Sequence, residues 1–213
     1  MIESNSLLEK IFGTEHSSYI FGIRRLAGLY VSMKEYQKAA DAYNTYITRI
    51  PGVLDGYVQE YRGDALNETK DYPGAISAYN AALSASRLDD GMFLQIKIAN
   101  ARAAFGDYAG ALTMYNQIFN TSTNDYIKAQ MDYLAGKAHV ELGQQDEANA
   151  RYLHAVENYP LSYYSYLSLV ELIGVDYSVN DLDRGLVDYH AEQYDVALVA
   201  LDRYIKDNPA DDG

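Results

Sequence analysis

An all-α fold built from stacked antiparallel helix pairs is predicted by three features of this sequence. The first is a four-position frame that recurs five times. It reads Tyr36, Ala39, Tyr43, Tyr46, then Tyr72, Ala75, Tyr79, Ala82, then Tyr108, Ala111, Tyr115, Ile118. The last two copies read Gln145, Ala148, Tyr152, Ala155 and Tyr194, Ala197, Leu201, Tyr204. Successive copies start 36, 36, 37 and 49 residues apart, a period typical of repeat architectures. The second feature is a small residue ahead of each copy, at Ala27, Gly63, Ala99, Gly136 and Gly185. The third is the scarcity of helix breakers: 4 Pro and 15 Gly in 213 residues leave long stretches free to run as helix.

These features have a common physical reason. Two helices approach closely only where one presents a small side chain to the other. The small residue of a first helix and the Ala of the second supply that contact, so Ala111, Gly63 and Gly136 are expected to be buried there. The tyrosines fill the wider gaps to the next pair, and stacking buries apolar faces that one pair alone leaves open. Eleven of the 22 tyrosines take such positions (30, 36, 43, 46, 72, 79, 108, 115, 152, 194 and 204), so packing accounts for half of them.

In chain order, Ser4 to Phe12 reads as a leading helix, the second half of a pair whose first half is missing. Full pairs follow over 20–53, 56–89, 92–125 and 129–162, with polar turns such as Gly106-Asp107 and Gly143-Gln144 inside them. Pro51, Pro160 and Pro209 follow three of the second helices, where Pro stops a helix. The interval of 49 makes room for an extra helix over 162–174, capped by Ser162 and ended by Gly174. The last pair spans 178–210, and an acidic tail follows. The whole chain, 1–213, reads as one solenoid domain with 1–17 as a partial repeat, and both ends read as cuts through a longer protein.

The small–Tyr–Ala–Tyr–Ala–Pro register over about Ile20 to Pro209 resembles the tetratricopeptide repeat family. That resemblance implies an α-solenoid of antiparallel pairs forming a right-handed superhelix, and a protein- or peptide-binding scaffold. The sequence departs from the family where an aromatic usually opens the repeat: Ile23, Gln59, Gln95 and Asp132 stand there. A second, narrower resemblance lies at the junction. The run Tyr159-Pro160-Leu161-Ser162-Tyr163-Tyr164-Ser165-Tyr166-Leu167, with Arg184-Gly185-Leu186-Val187-Asp188-Tyr189 after it, is similar to the superhelical region of bacterial soluble lytic murein transglycosylases. It implies an accessory domain of a cell-wall lytic enzyme. That family's catalytic Glu-Ser pair is not matched: Glu3-Ser4 lacks the surrounding motif, which would put the catalytic domain outside this chain.

Composition narrows the chemistry. The net charge of −13 repels a phosphate backbone and an anionic membrane surface. No cysteine is present, which removes disulfides, thiolate metal sites and cysteine nucleophiles. The first residues lack the basic start and apolar run of a signal peptide, and no stretch reaches the ~20 apolar residues of a membrane span. His16, His139, His154 and His190 show no metal-ligand spacing. No phosphate loop or nucleophile elbow occurs. We therefore expect no enzyme activity, no cofactor, no metal, no nucleic acid and no membrane insertion. The compartment stays open, and an extracytoplasmic location follows only from the second resemblance.

A partner protein or peptide is expected to lie along the first helices, with Phe21, Tyr57, Tyr61, Phe93, Tyr133 and Tyr189 as the candidate groove residues. Phe21, Tyr57 and Phe93 fall 36 residues apart in one slot, and Gln130 ends that column. Three rings at helix-packing distance would span ~20 Å, about six extended residues. Some repeat proteins of this family grip the acidic C-termini of chaperones through Lys and Asn side chains. The matching slots hold Arg24, Gly28, Tyr61, Phe93 and Lys97, which does not build such a clamp. The open repeat ends also leave room for self-association.

Overall fold

A computed structural model describes residues 17–52, 54–86, 89 and 91–209. All regular structure among them is helical. The helices are α1 (Ser17–Ser32), α2 (Tyr36–Arg49), α3 (Asp55–Glu68), α4 (Tyr72–Ser84), α5 (Met92–Phe105) and α6 (Tyr108–Thr121). They continue as α7 (Asp125–Glu141), α8 (Gln145–Asn158), α9 (Tyr163–Gly174), α10 (Asp181–His190) and α11 (Tyr194–Asp207). The expected helix over Ser4–Phe12, His16 and the residues past Pro209 lie outside the described residues. The chain divides into two compact units, one ending at Asp107 and holding α1–α5, the other starting at Tyr108 and holding α6–α11.

Within each unit the helices pack on their neighbours in sequence. In the first, α1 packs on α2, α2 on α3, α3 on α4 and α4 on α5. In the second, α6 packs on α7, α7 on α8, α8 on α9 and α10 on α11. The recurring frame lies in the interior: Ala39, Tyr43, Ala75, Tyr79, Ala82, Ala111, Tyr115, Ala148, Tyr152, Ala155 and Ala197 are all buried. Tyr194 departs from its expected packed position and is exposed. Leu198 and Ile205, on the same stripe of α11, are exposed with it, because no described helix covers that side of α11.

The small residues act as the sequence pattern requires. A Cβ added at Gly63 would stand 2.5 Å from two ring carbons of Tyr79. One added at Gly136 would run into the ring of Tyr152, and one at Gly185 would stand 2.5 Å from Cγ of Leu201. Each glycine therefore meets the third position of its own frame, sixteen residues on in sequence.

Each pair turns on one backbone device. Lys34, Lys70, Gly106, Gly143 and Glu192 all have positive φ, between 58° and 91°, and they are spaced by the same 36, 36, 37 and 49 residues as the frame. At each, two N–H groups close the preceding helix. In the second turn Lys70 N–H donates to Asn67 and Asp71 N–H to Leu66; in the fourth Gly143 N–H donates to Val140 and Gln144 N–H to His139. This is the left-handed cap that glycine favours, and three of the five positions are not glycine.

The extra helix is present where the interval of 49 called for it. Ser162 Oγ accepts the N–H of Tyr164 at 3.2 Å and starts α9. This helix packs on α8 and on α7. Gln130 Nε2 of α7 donates to Tyr164 Oη at 2.9 Å, and Lys137 Nζ of α7 reaches Glu171 at 3.5 Å. Both contacts join residues 34 apart, so α9 sits against the preceding pair as a further first helix with no second helix behind it. Its Leu169 and Leu172 join Tyr152, Val156 and Val187 in one buried cluster.

Asp132, which replaces an aromatic residue, is fully buried. It accepts from Arg151 at 3.2 Å and pairs with His154 Nδ1 at 2.7 Å, and Arg151 is itself held by Asn116. Burial pushes this carboxyl above its ordinary value, against the pull of His154 and Arg151.

Two substitutions check this account. Gly136→Ala should lower stability by about 1–3 kcal/mol in urea denaturation, although Ala is the better helix former by ~1 kcal/mol. In a Tyr152→Leu background the penalty should shrink; an equal loss in both backgrounds contradicts the contact. At the turns, Lys70→Gly should gain up to about 1 kcal/mol, while Gly106→Ala, which meets no neighbouring atom, should lose about 1–2 kcal/mol from backbone strain alone.

Candidate functional site

Residues separated by four, three and four positions share one face of a helix. On α3 that series is Tyr57, Tyr61, Asp64 and Glu68. The corresponding series on α1 is Phe21, Arg25, Gly28 and Ser32, and on α5 it runs Phe93, Lys97 and Asn100. These three faces carry the candidate residues that the sequence assigned to the first unit. Phe21 is 52% exposed and Phe93 70% exposed, so these two rings of the column stand open to solvent. Tyr57 is half-buried between them in sequence order.

Further along the same faces lies a cavity of about 490 Å³. Gly28 and Val31 of α1, Tyr43 of α2, Tyr61, Asp64 and Glu68 of α3 and Tyr79 of α4 line it, among others. Gly28 contributes by having no side chain: a Cβ built there meets no atom within 4 Å. The Tyr43 and Tyr61 rings stand 5.9 Å apart, tilted by 32°. Tyr79 Oη donates to Asp64 Oδ1 at 2.9 Å. Burial, reinforced by Asp64, pushes the Tyr79 phenol far above its ordinary value, so it keeps its proton and remains the donor. Burial also raises Tyr43, with Tyr61 adding to the effect and Arg24 opposing it.

Lys97 crosses from α5 to this site. Its Nζ donates to Glu60 at 2.8 Å and to both oxygens of Asp64 at 2.7 and 2.9 Å, and it lies 5.7 Å from the centroid of the Tyr79 ring. Burial alone would lower its pKa, but the hydrogen bonds from Asp64 and Glu60 prevail and raise it. The ammonium is thus charged and committed to two carboxylates of the neighbouring first helix.

The other two candidate residues lie in the second unit. Tyr133 is half-buried, with ring centroids 6.1 Å from Tyr152 and 5.9 Å from Tyr164, and Lys137 lies 5.8 Å over it. Tyr126, Tyr163 and Tyr166 extend this aromatic group around α9. Tyr189 is exposed at the end of α10 beside His190 and Tyr194. Sequence reasoning placed Tyr43 and Tyr79 in the core and did not assign Asp64 or Glu68 to the site. One signal was available: a phenol at a core position needs a polar partner, and Asp64 follows the glycine that Tyr79 packs on.

Among the described residues no group of three or more His, Asp or Glu side chains is placed to hold a metal ion, and no helix is long and apolar enough to cross a membrane.

Comparison with known proteins bears on the family and the fold. A model described as a tetratricopeptide repeat-like domain matches residues 21–103, and one described as a tetratricopeptide repeat matches residues 131–162, together more than half of the chain. Among solved structures, that of YrrB, described as a TPR protein with an unusual peptide-binding site, matches with a TM-score of 0.51 at 16% identity. The match covers 98% of this chain and 94% of that one, and shows the fold. No curated protein matches.

The slots of an acidic-C-terminus clamp are poorly supplied, since Lys97 is held by Glu60 and Asp64. A labelled peptide ending in Glu-Glu-Val-Asp should show no micromolar binding in fluorescence anisotropy; saturable binding in that range would contradict this reading.

Proposed function

Because the chain belongs to the tetratricopeptide repeat family, we propose that it is a non-catalytic protein- or peptide-binding module whose ligand lies across α1, α3 and α5. The cavity between Gly28, Tyr43, Tyr61 and Tyr79 carries this reading. Rigid aromatic walls give contact area at low entropic cost, and their phenol groups allow polar contacts at the rim. The open rings of Phe21 and Phe93 extend the same faces, which suits an extended peptide with one side chain anchored in the cavity. The peptide-binding site ascribed to YrrB is in keeping with such a use of the fold.

A second reading makes the chain an accessory arm of a cell-wall lytic enzyme. It is favoured by α9, the helix that stands outside the two-helix period and begins within the junction run. The two readings differ in ligand.

Panning a displayed library of random peptides against the full chain tests the first reading. A common motif should emerge, and its affinity should fall at least tenfold in Gly28→Leu, which fills the cavity from a position with no neighbouring atom in the way. The melting temperature should not drop. Recovery of no motif, together with retention on purified murein sacculi, would favour the second reading instead.

A further inference from the structure

The two charged side chains that line the cavity of the first unit, Asp64 and Glu68, are both carboxylates. Glu68 closes the Tyr57–Tyr61–Asp64–Glu68 face at the last residue of α3, and no cation pairs with it among the described residues. Four tyrosines, Tyr36, Tyr43, Tyr61 and Tyr79, line the cavity with these carboxylates, beside Gly28, Val31, Ala65 and Asn67. An aromatic ring presents a negative face, and a cation held between such faces and a carboxylate gains from both.

The molecule already contains one example of this recognition. Lys97 Nζ rests 5.7 Å from the Tyr79 centroid while bonded to Asp64 and Glu60. That cation answers Asp64 and leaves Glu68, which is exposed, beside Tyr61, which is half exposed over the buried ring of Tyr43. Two cations of α1 are nearby: Arg24, which opposes the rise in Tyr43, and Arg25, which shares the face of Phe21 and Gly28; both are exposed and neither is part of the lining. The phenol groups of Tyr43 and Tyr79 stay protonated, so the rings face a cation as neutral walls.

We propose that this cavity is a receptor for a positively charged side chain of the ligand, best matched by the guanidinium group of an arginine lying against Tyr43 and Tyr61 with its donors on Glu68. Arginine suits the place better than lysine because its planar group stacks on rings and donates to a carboxylate in the same plane. The inference rests on the peptide-binding reading above and adds the chemistry of the anchored residue. A chain of net charge −13 favours a basic partner over long range as well.

The test uses the full chain with tyrosine rings isotopically labelled. The probes are N-acetyl-arginine amide, its neutral isostere N-acetyl-citrulline amide, and N-acetyl-norleucine amide, titrated by NMR at millimolar concentrations. The arginine probe should shift the Tyr43 and Tyr61 signals saturably, at least fivefold more tightly than the citrulline probe. In Glu68→Gln its affinity should fall at least threefold with an unchanged melting temperature, and added salt should weaken it. Equal binding of citrulline or norleucine would overturn the inference while leaving a peptide groove in place. Binding of arginine that Glu68→Gln leaves untouched would overturn it too, and so would the absence of any shift with all three probes. The peptide panning then decides separately whether the groove itself survives: a recovered motif without a basic residue defeats only the cationic preference, and no motif defeats the groove.

Discussion

The close approach of a glycine to a large side chain, sixteen residues later, is the contact on which the rest of this structure depends. Gly63 against Tyr79 and Gly136 against Tyr152 bring the two helices of a pair nearer than any Cβ would permit. Interiors are packed at crystal density, so the spacing set there is transmitted to the neighbouring helices. In the first unit it also positions chemistry. Tyr79 lies against Gly63, and its hydroxyl then falls 2.9 Å from the next residue of α3, Asp64. Asp64 in turn anchors Lys97 of α5. One missing side chain thus links the core of a pair to the polar wall of the cavity.

The same logic separates the two units in what they do with equivalent positions. The column slot holds Phe21, Tyr57 and Phe93 in the first unit, and two of these rings are largely open. In the second unit the slot holds Gln130, and its amide is spent on Tyr164 of α9. The tyrosines there pack edge to face with one another, as Tyr126 and Tyr164 do at 5.3 Å. A helix packed against α7 therefore engages part of the equivalent face, while Tyr126 and Tyr163 stay more than half exposed.

Much of the fold was legible because it is written in spacing. Small residues and tyrosines at fixed intervals report helix pairing directly, and the helices lie between the turns that the polar segments marked. The turns themselves were half legible. Gly106 and Gly143 announce a left-handed cap, whereas Lys34, Lys70 and Glu192 adopt the same conformation without a residue type that signals it. The site was less visible. Phe21 and Phe93, named as groove candidates from their spacing, are exposed, but Tyr43 and Tyr79 serve packing and cavity wall at once, and a buried frame position gives no hint of the second duty. Pairing of Lys97 with Asp64 and Glu60 depends on helices 33 and 37 residues apart being adjacent, which only packing reveals.

The lone helix α9 has a consequence for how such an array finds its register. Tandem repeats risk misfolding by slippage, one unit settling into the place of its neighbour, because near-identical surfaces recur along the chain. A shift by one period maps the first four frames onto one another almost without error, since they start 36, 36 and 37 residues apart. The step of 49 breaks that translational symmetry. Across that step Tyr152 and Val156 of α8, Leu169 of α9 and Val187 of α10 pack in one cluster. An irregular step of this kind gives the second unit a landmark that evenly spaced frames lack.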